Sequence, residues 1–585
     1  MIEVQQQEYD VVIMGAGFGG VCQARHLLLT IPNIRVALID PRGEERTDKD
    51  LKIGESTVEM AALFICKDLG LQDYMIENHP PKFGLSFHWP KDPLKTDSIN
   101  DYYHIWSNRQ PSILTFQMNR AKFERNILEM NTKMGAIFYK GRVIDLDLTP
   151  GDAIKTINVK VGEQCINLKA KHVIDAAGSS FIIGKKTNNL LFKPAELFGV
   201  DNGSVWVRVK NVDRTIFNNF YSPYGGTCSR YYVTNHWFGH GHWLWMIPTE
   251  IESMELSIGA MFHRDVIPDD LINTKQKFYS FLEKNHNILY QIVNSSDGVD
   301  FHYRPRVARM SKTLFSKDNW YVIGDAAYIF DAFYSTGTSM TCVAIESVTE
   351  IIRAKLAGEA NAEEKRTAYN NFNLRFARII NQTVSHHAKQ LGHASVMSWR
   401  IYYEYMVWFG IFLPMYIGKW HMDLDYIKKF IASADSIQKF VDELHNQFAQ
   451  VVEQGKNIGL MDCFRADQLF WGYHTLTHFD DFLENTKYEF KRSNLYKSVK
   501  YTYLFQIIWY NRFRWKAFGL PGLLAPKYFY HLLQWAVRLT EVTVAEFIYY
   551  LQTKNLPDNT LIEKMRQEFK NYQYRPELQQ WWHKT

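Results

Sequence analysis

Cysteine is scarce. Six residues (Cys22, Cys66, Cys165, Cys228, Cys342 and Cys463) are scattered over 585 positions with no CxxC pair, which excludes a disulfide frame or a thiolate zinc site and fits reduced thiols in a cytoplasmic protein. No metal is expected. Glycine and proline number 33 and 18, too few for long flexible linkers or low-complexity tracts. Long apolar runs are missing as well: the longest uncharged one, Tyr405 to Gly418, is 14 residues and contains Pro414, whereas a spanning helix needs about 20. Met1 to Asp10 is acidic and polar, unlike a secretory leader, so a soluble or at most peripheral chain is expected. Lys and Arg total 67 against 62 Asp and Glu, leaving +5, too balanced for a dedicated nucleic-acid binder. What the chain does have is aromatic rings, 38 Phe, 33 Tyr and 16 Trp, and these point to large aromatic pockets or interfaces.

Tyr9 to Met14 reads as a buried parallel strand. It runs into Gly15-Ala16-Gly17-Phe18-Gly19-Gly20, a helical stretch from Val21 to Leu29, and a second apolar run, Ile34 to Ile39, that ends at Asp40. In such a βαβ unit Gly15 permits the tight turn, Gly17 lets a diphosphate approach the backbone, and Gly20 permits close helix–strand packing. The diphosphate sits on the helix N-terminus and Asp40 accepts from a ribose hydroxyl. Strand-like runs then alternate with Gly and Asn turns: Gly141 to Leu148, Ile157 to Val161, Val205 to Val209, Tyr231 to Trp237, and Trp243 to Ile247. They suggest an antiparallel sheet walling a pocket beside the nucleotide domain. Past about 345 the spacing turns helical, in Val343 to Leu356, Glu363 to Ile380 and Ile427 to Asn446, and it stays so to near Gln579. The expected architecture is α/β, with a Rossmann-like core of monooxygenase type over 1–345 and a helical region over 346–585.

A dinucleotide fold leaves cofactor and reaction open. Ile323-Gly324-Asp325-Ala326-Ala327 follows a strand-like run, and a carboxylate there can turn onto a second sugar or ribityl hydroxyl. Two separated acids, Asp40 and Asp325, suit a flavin dinucleotide; a plain helix cap is the alternative for Asp325. Arg120, in Gln117-Met118-Asn119-Arg120, and Asp175-Ala176-Ala177-Gly178 complete the set. Two further segments stand out: Trp243-Leu244-Trp245-Met246-Ile247-Pro248, and Gly54-Glu55-Ser56-Thr57 followed by Lys82-Phe83-Gly84-Leu85-Ser86-Phe87-His88-Trp89.

With these residues the sequence resembles the flavin-dependent halogenases over roughly residues 8 to 345. The family carries a GxGxxG turn, a WxWxIP segment, a Gly-Glu-Ser/Ala-Thr stretch and a lysine ahead of Gly-x-x-Phe-x-Trp. The resemblance implies FAD reduced by a separate flavin reductase, with O2 and chloride or bromide as co-substrates. Hypohalous acid made at the flavin passes through a tunnel to a lysine beside the organic substrate, which by position is Lys82. Either a haloamine or a hydrogen-bonding ammonium would serve there, and both need an enclosed lysine whose pKa is lowered by desolvation. Halide is implied on the Thr336 and Gly337 amides of Ser335-Thr336-Gly337, since successive amides form an anion nest; a plain turn capped by Ser335 is the alternative. Tryptophan halogenases have a glutamate before this turn where Tyr334 stands here. The chain therefore resembles the branch acting on phenols, pyrroles or carrier-bound aromatics. That branch often has Asp-Pro before the turn, but Asp331 is followed by Ala332, which leaves the rigidity of the loop open. Trp243 and Trp245 are expected to pack between flavin and substrate. The competing functions are a flavin-dependent aromatic hydroxylase, an isoprenoid reductase and a catalytically silent flavoprotein scaffold.

Between Phe490 and Thr540 there is no acidic residue and there are nine basic ones, among them Lys516, Lys527 and Arg538, interleaved with fourteen aromatics. Three readings stand: a buried aromatic helix pair with a solvated basic face, a docking surface for an acidic carrier protein bearing the substrate, or peripheral contact with an anionic membrane. Nucleic acid is not expected, because the partner motifs are missing.

Overall fold

The computed structural model describes residues 7–43, 53–107, 113–213, 215–216, 230–250, 255–461 and 492–552. The strand Gln7–Met14, apolar on both faces from Val11 onward, lies at the centre of a sheet, parallel to Val36–Asp40 on one side and to Gln164–Asp175 on the other. Ile137–Lys140 extends the parallel order beyond Val36–Asp40. Gln164–Asp175 changes partner along its length: its first half pairs antiparallel with Lys155–Val161, and its last three residues run parallel to Trp320–Val322. The glycine turn, Asp175 and the Gly324–Ala326 turn therefore meet at the carboxyl ends of the parallel strands, where open α/β sheets bind ligands.

The second sheet has the order Asp297–Arg304, Asn202–Lys210, Leu256–His263, His242–Pro248, Thr234–Gly239, Leu85–Pro90, Tyr102–Ser107. It is antiparallel except where Thr234–Gly239 runs parallel to Leu85–Pro90. His242–Pro248 and Leu256–His263 are buried at every position, which is why they read as solid apolar runs rather than alternating ones. The expected strand Tyr231 to Trp237 starts later. Arg230–Tyr232 is a 3-10 turn and the strand is Thr234–Gly239. The rings of Tyr231 and Tyr232 meet edge to face at 4.8 Å, a contact that neighbours on a strand cannot make because their side chains point to opposite faces.

The helical part comprises Thr336–Leu356, Ala362–Gln382, Ala394–Val407, Leu424–Glu453, Arg492–Leu523 and Pro526–Gln552. The helix Thr336–Leu356 runs through residue 345, the expected boundary, and is tied to the nucleotide-domain helix Phe18–Thr30 by bonds from Gln23 and His26 to Thr349 Oγ1 (2.9 and 2.8 Å). Later helices lean on the core through Trp408 Nε1 to Glu59 (3.0 Å) and Leu391 O, which accepts from Trp89 Nε1 (3.0 Å). The Pro414 stretch is not a span: it forms a buried π-turn, Trp408–Phe412, and the short helix Leu413–Ile417. Among the described residues no helix is long and apolar enough to cross a membrane. The helical expectation for 553–579 lies outside the described residues. Among the described residues, Cys22, Cys165 and Cys342 are free thiols.

Candidate active site

A cavity of about 1040 Å³ runs from the glycine turn to the second sheet. Gly15, Gly17, Asp40, Arg120, Gly324 and Asp325 line one end, Ser335 and Gly337 lie along it, and Ser56, Thr234, His236, Trp243 and Trp245 form the far wall. Of the residues expected at the site, Gly20, Lys82 and Thr336 are not part of the lining.

The glycine turn is bare backbone for a steric reason. A Cβ on Gly15 (φ +104°) would lie 2.5 Å from Ala176 O, and one on Gly20 would lie 1.9 Å from Gly15 O. Gly20 is thus a packing residue and Gly17 a lining one. Asp40 is buried and accepts from the Ala16 amide (2.9 Å) and the Arg42 amide (2.9 Å), which fixes its carboxylate at the cavity edge. Arg120 is held by Glu124 (2.7 Å) and by the carbonyls of Ile53 and Gly54, yet its Nε is buried without a partner. A buried guanidinium donor left over beside a long cavity with a glycine cradle, and the exposed Asp325 across from them, fit a bound FAD. Glu124 was missed in the sequence, although its spacing of four from Arg120 on one helix was a readable signal; it also accepts from the Phe18 amide (3.0 Å).

The loop Asp331 to Gly337 carries strain. Tyr334 and Ser335 are both left-handed, at φ 60° and 58°, a conformation that costs non-glycine residues of order 1 kcal/mol or more each. Asp331 offsets this. Its Oδ1 accepts from Trp243 Nε1 (3.0 Å) and the Phe333 amide (2.9 Å), and its Oδ2 accepts from Asn202 Nδ2 (3.3 Å). Although Ala332 stands where the branch often has proline, the Asp331 carboxylate staples the loop to the second sheet, with Trp243 as one of its donors. Burial pushes Asp331 up to about 6 against those bonds and the nearby His263. His263, Asp331 and His387 bring their donor atoms within 4.8 Å of one another; His387 is fully buried, with neither ring nitrogen bonded. Thr336 and Gly337 open the helix Thr336–Leu356, so their amides have no intrahelical acceptor. Ser335 holds the capping position without a side-chain cap bond. Tyr334 donates to Glu404 Oε2 (2.6 Å), and Arg400 holds the other oxygen, Oε1, of that carboxylate (2.8 Å).

Lys82 lies in the short strand Pro81–Lys82, paired with Thr115–Phe116. It is 1% exposed, and its Nζ donates to Ser56 Oγ and Thr57 O, both at 2.8 Å. Ser56 Oγ in turn meets Thr234 Oγ1 at 3.0 Å. The amine therefore stands one hydrogen bond behind the cavity wall. Burial lowers its pKa from 10.5 to about 7, opposed by the charge of Glu59. His236 beside it is pushed down to about 3, first by burial and then by Lys82, so the imidazole is neutral. Glu55 of the same motif serves structure instead: it pairs with the fully buried Arg208 (3.0 Å), which also binds Asp300 (2.9 Å).

No family model matches the chain. It is 40% identical over 587 aligned residues to the flavin-dependent halogenase chlA of Dictyostelium discoideum, covering 97% of each chain. It is 24% identical over 353 residues to the 1H-pyrrole-2-carbonyl-(peptidyl-carrier protein) chlorinase of Pseudomonas fluorescens, covering 58% of this chain and 74% of the relative. Among solved structures, halogenase PltM in complex with phloroglucinol and FAD shares its fold, with a TM-score of 0.57 at 16% identity over 84% of this chain and 96% of that one.

Proposed function

Because this chain belongs to the flavin-dependent halogenases, with FAD as cofactor and halide and O2 as co-substrates, we propose that it chlorinates or brominates an electron-rich, phenolic ring through hypohalous acid relayed by Lys82. The observation that carries this reading is the buried Lys82 amine, one hydrogen bond from the cavity through Ser56. The glycine turn, Asp40, Arg120 and Asp325 hold the FAD, which is reduced by a separate flavin reductase. Bound reduced FAD supplies, with O2, the two-electron oxidant that converts halide to hypohalous acid. The Thr336 and Gly337 amides hold the halide, and the staple at Asp331 fixes the loop that presents them.

The protein's own chemistry then starts at Ser56. Its Oγ accepts one N–H of Lys82 and Thr57 O accepts another, so the lone pair of the neutral amine is used by neither bond. The neutral amine and HOX give a haloamine and water: the N–X bond forms, the O–X bond breaks, and the amine proton leaves with the hydroxyl. The ring then takes the halogen from nitrogen, and its displaced proton restores the amine. With a pKa of about 7, the neutral amine is available at physiological pH without further activation. Tyr334 in place of an acid favours a ring that needs no added help, and phloroglucinol, the phenol held by the related PltM structure, is a ring of that kind. Whether such a phenol is free or carrier-tethered, the relay is the same.

Incubation with reduced FAD, O2 and bromide tests the reading, with a phenolic substrate in one arm and a free-HOX trap in the other. Lys82→Ala is expected to lose ring halogenation while the trap still scores HOX. Full ring halogenation by the variant would overturn the relay, and a hydroxylated product indifferent to halide would overturn the reaction.

A further inference from the structure

The last described helix, Pro526–Gln552, is apolar on two opposite faces. One face packs on the protein through Tyr528, His531 and Trp535, all buried. The other carries Phe529, Leu533, Val537, Val544, Phe547 and Leu551, each between 50% and 65% exposed. At 3.6 residues per turn these six fall within an arc of about 80° and form a strip roughly 33 Å long. The turn before it adds Trp515, Leu520 and Leu524, which are 55%, 58% and 63% exposed. A helix that is apolar all round is ordinarily buried all round, and a continuous exposed patch of this size marks a surface that meets something.

Charge decides what. Lys516 and Lys527 are exposed beside the apolar turn and Arg538 flanks the strip. Between Phe490 and Thr540 there is no acid. Glu541 is the first, and it pairs with Arg538 (2.7 Å), while Lys527 leans toward Glu443 at 3.4 Å. A second copy of the chain would set this basic border against itself. An acidic carrier protein would answer the lysines but leave a long apolar strip against a polar surface. An anionic bilayer supplies both partners at once: acyl chains for the strip and phosphates for the border. We infer that this face docks the enzyme flat on an anionic lipid surface, with the strip at the headgroup–acyl boundary. The inference is independent of the Lys82 relay.

Flotation of the full chain with vesicles tests it, using phosphatidylcholine alone or with about one-third phosphatidylserine. The chain is expected to float with the mixed vesicles at least ten-fold better than with phosphatidylcholine, and to come off at about 1 M salt, where the screening length falls to roughly 3 Å. The double variant L533E/F547E changes only exposed positions; it is expected to keep bromination in solution and to lose at least ten-fold in flotation. K516E/K527E should lose the preference for phosphatidylserine. No flotation by the parent chain, or undiminished flotation by L533E/F547E, would overturn the inference. So would a parent dimer that this variant makes monomeric without any vesicle binding, or capture by an acidic carrier protein alone.

Discussion

Lys82 is a cost to the fold that the proposed relay explains, and the cost is measurable. The folded chain releases the Lys82 proton at about 7 where an exposed lysine holds it to 10.5; at 1.36 kcal/mol per pKa unit the difference is about 5 kcal/mol. Below about pH 7 the amine is charged in both states and the burial penalty is fully present. Between about 7 and 10.5 the unfolded chain binds the extra proton and the folded chain does not, so stability rises with pH. Lys82→Met keeps the length of the side chain and removes the charge. Relative to the parent it is expected to be more stable at and below neutrality, and the gap should close by about 2.5 kcal/mol between roughly pH 7 and pH 9. Urea midpoints followed by tryptophan fluorescence at several pH values give this difference directly. Parallel curves, with a gap that does not change with pH, would show that Lys82 titrates like a surface lysine and refute the argument. The activity counterpart has the same sign: if the haloamine carries the halogen, ring halogenation rises with pH through about 7, and a profile that falls there would point to the ammonium instead.

Three further substitutions probe the site's supports. Trp243→Phe removes the donor 3.0 Å from Asp331 and should cost roughly 1.5–3 kcal/mol; the KM for halide should rise more than kcat falls, and unchanged halide kinetics would detach Trp243 from the loop. Arg208→Met leaves Glu55 and Asp300 buried without their shared cation, a loss of about 3–5 kcal/mol to be read as a lowered urea midpoint; a parent-like midpoint would refute the pairing. Gly20→Ala puts a methyl 1.9 Å from Gly15 O, so the purified chain should carry little FAD by absorbance, and full loading would show that the turn can give way.

The nucleotide half was legible because its signals are local. The turn Gly15 to Gly20, the acid at Asp40 and the strand before them lie within one βαβ unit, and Gly15 and Gly20 have their steric causes inside that unit or against Ala176. The WxWxIP segment was legible as a sign of family and as packing beside the flavin, but its cross-strand contacts and its bond to Asp331 were not. Its neighbour Gly259 lies directly across from Trp245, where a Cβ would stand 2.2 Å from the indole ring, and no spacing rule links residues on two strands through such a void. The staple at Asp331 escaped for the same reason: its donors, Trp243 and Asn202, are 88 and 129 residues away in sequence. The sequence placed Lys82 by motif alone, and its burial comes from Ser56, Thr57 and Thr115, which only the tertiary fold brings to it.

On the proposed relay, the separation of amine from cavity is also a selectivity device. Ser56, Thr234 and His236 stand between the FAD end and Lys82. Their polar atoms are small and already bonded to one another or to the backbone, so a molecule the size of HOX can exchange for one hydrogen bond while an arene cannot pass. His236 is neutral and stacks on Phe87 at 4.9 Å, which keeps a second charge away from Lys82 and lets its pKa stay near neutrality. An open channel would hydrate the amine and return it toward 10.5, where it is almost wholly protonated at pH 7 and has no lone pair to offer. On the proposed relay the closed wall desolvates the amine enough to make it nucleophilic.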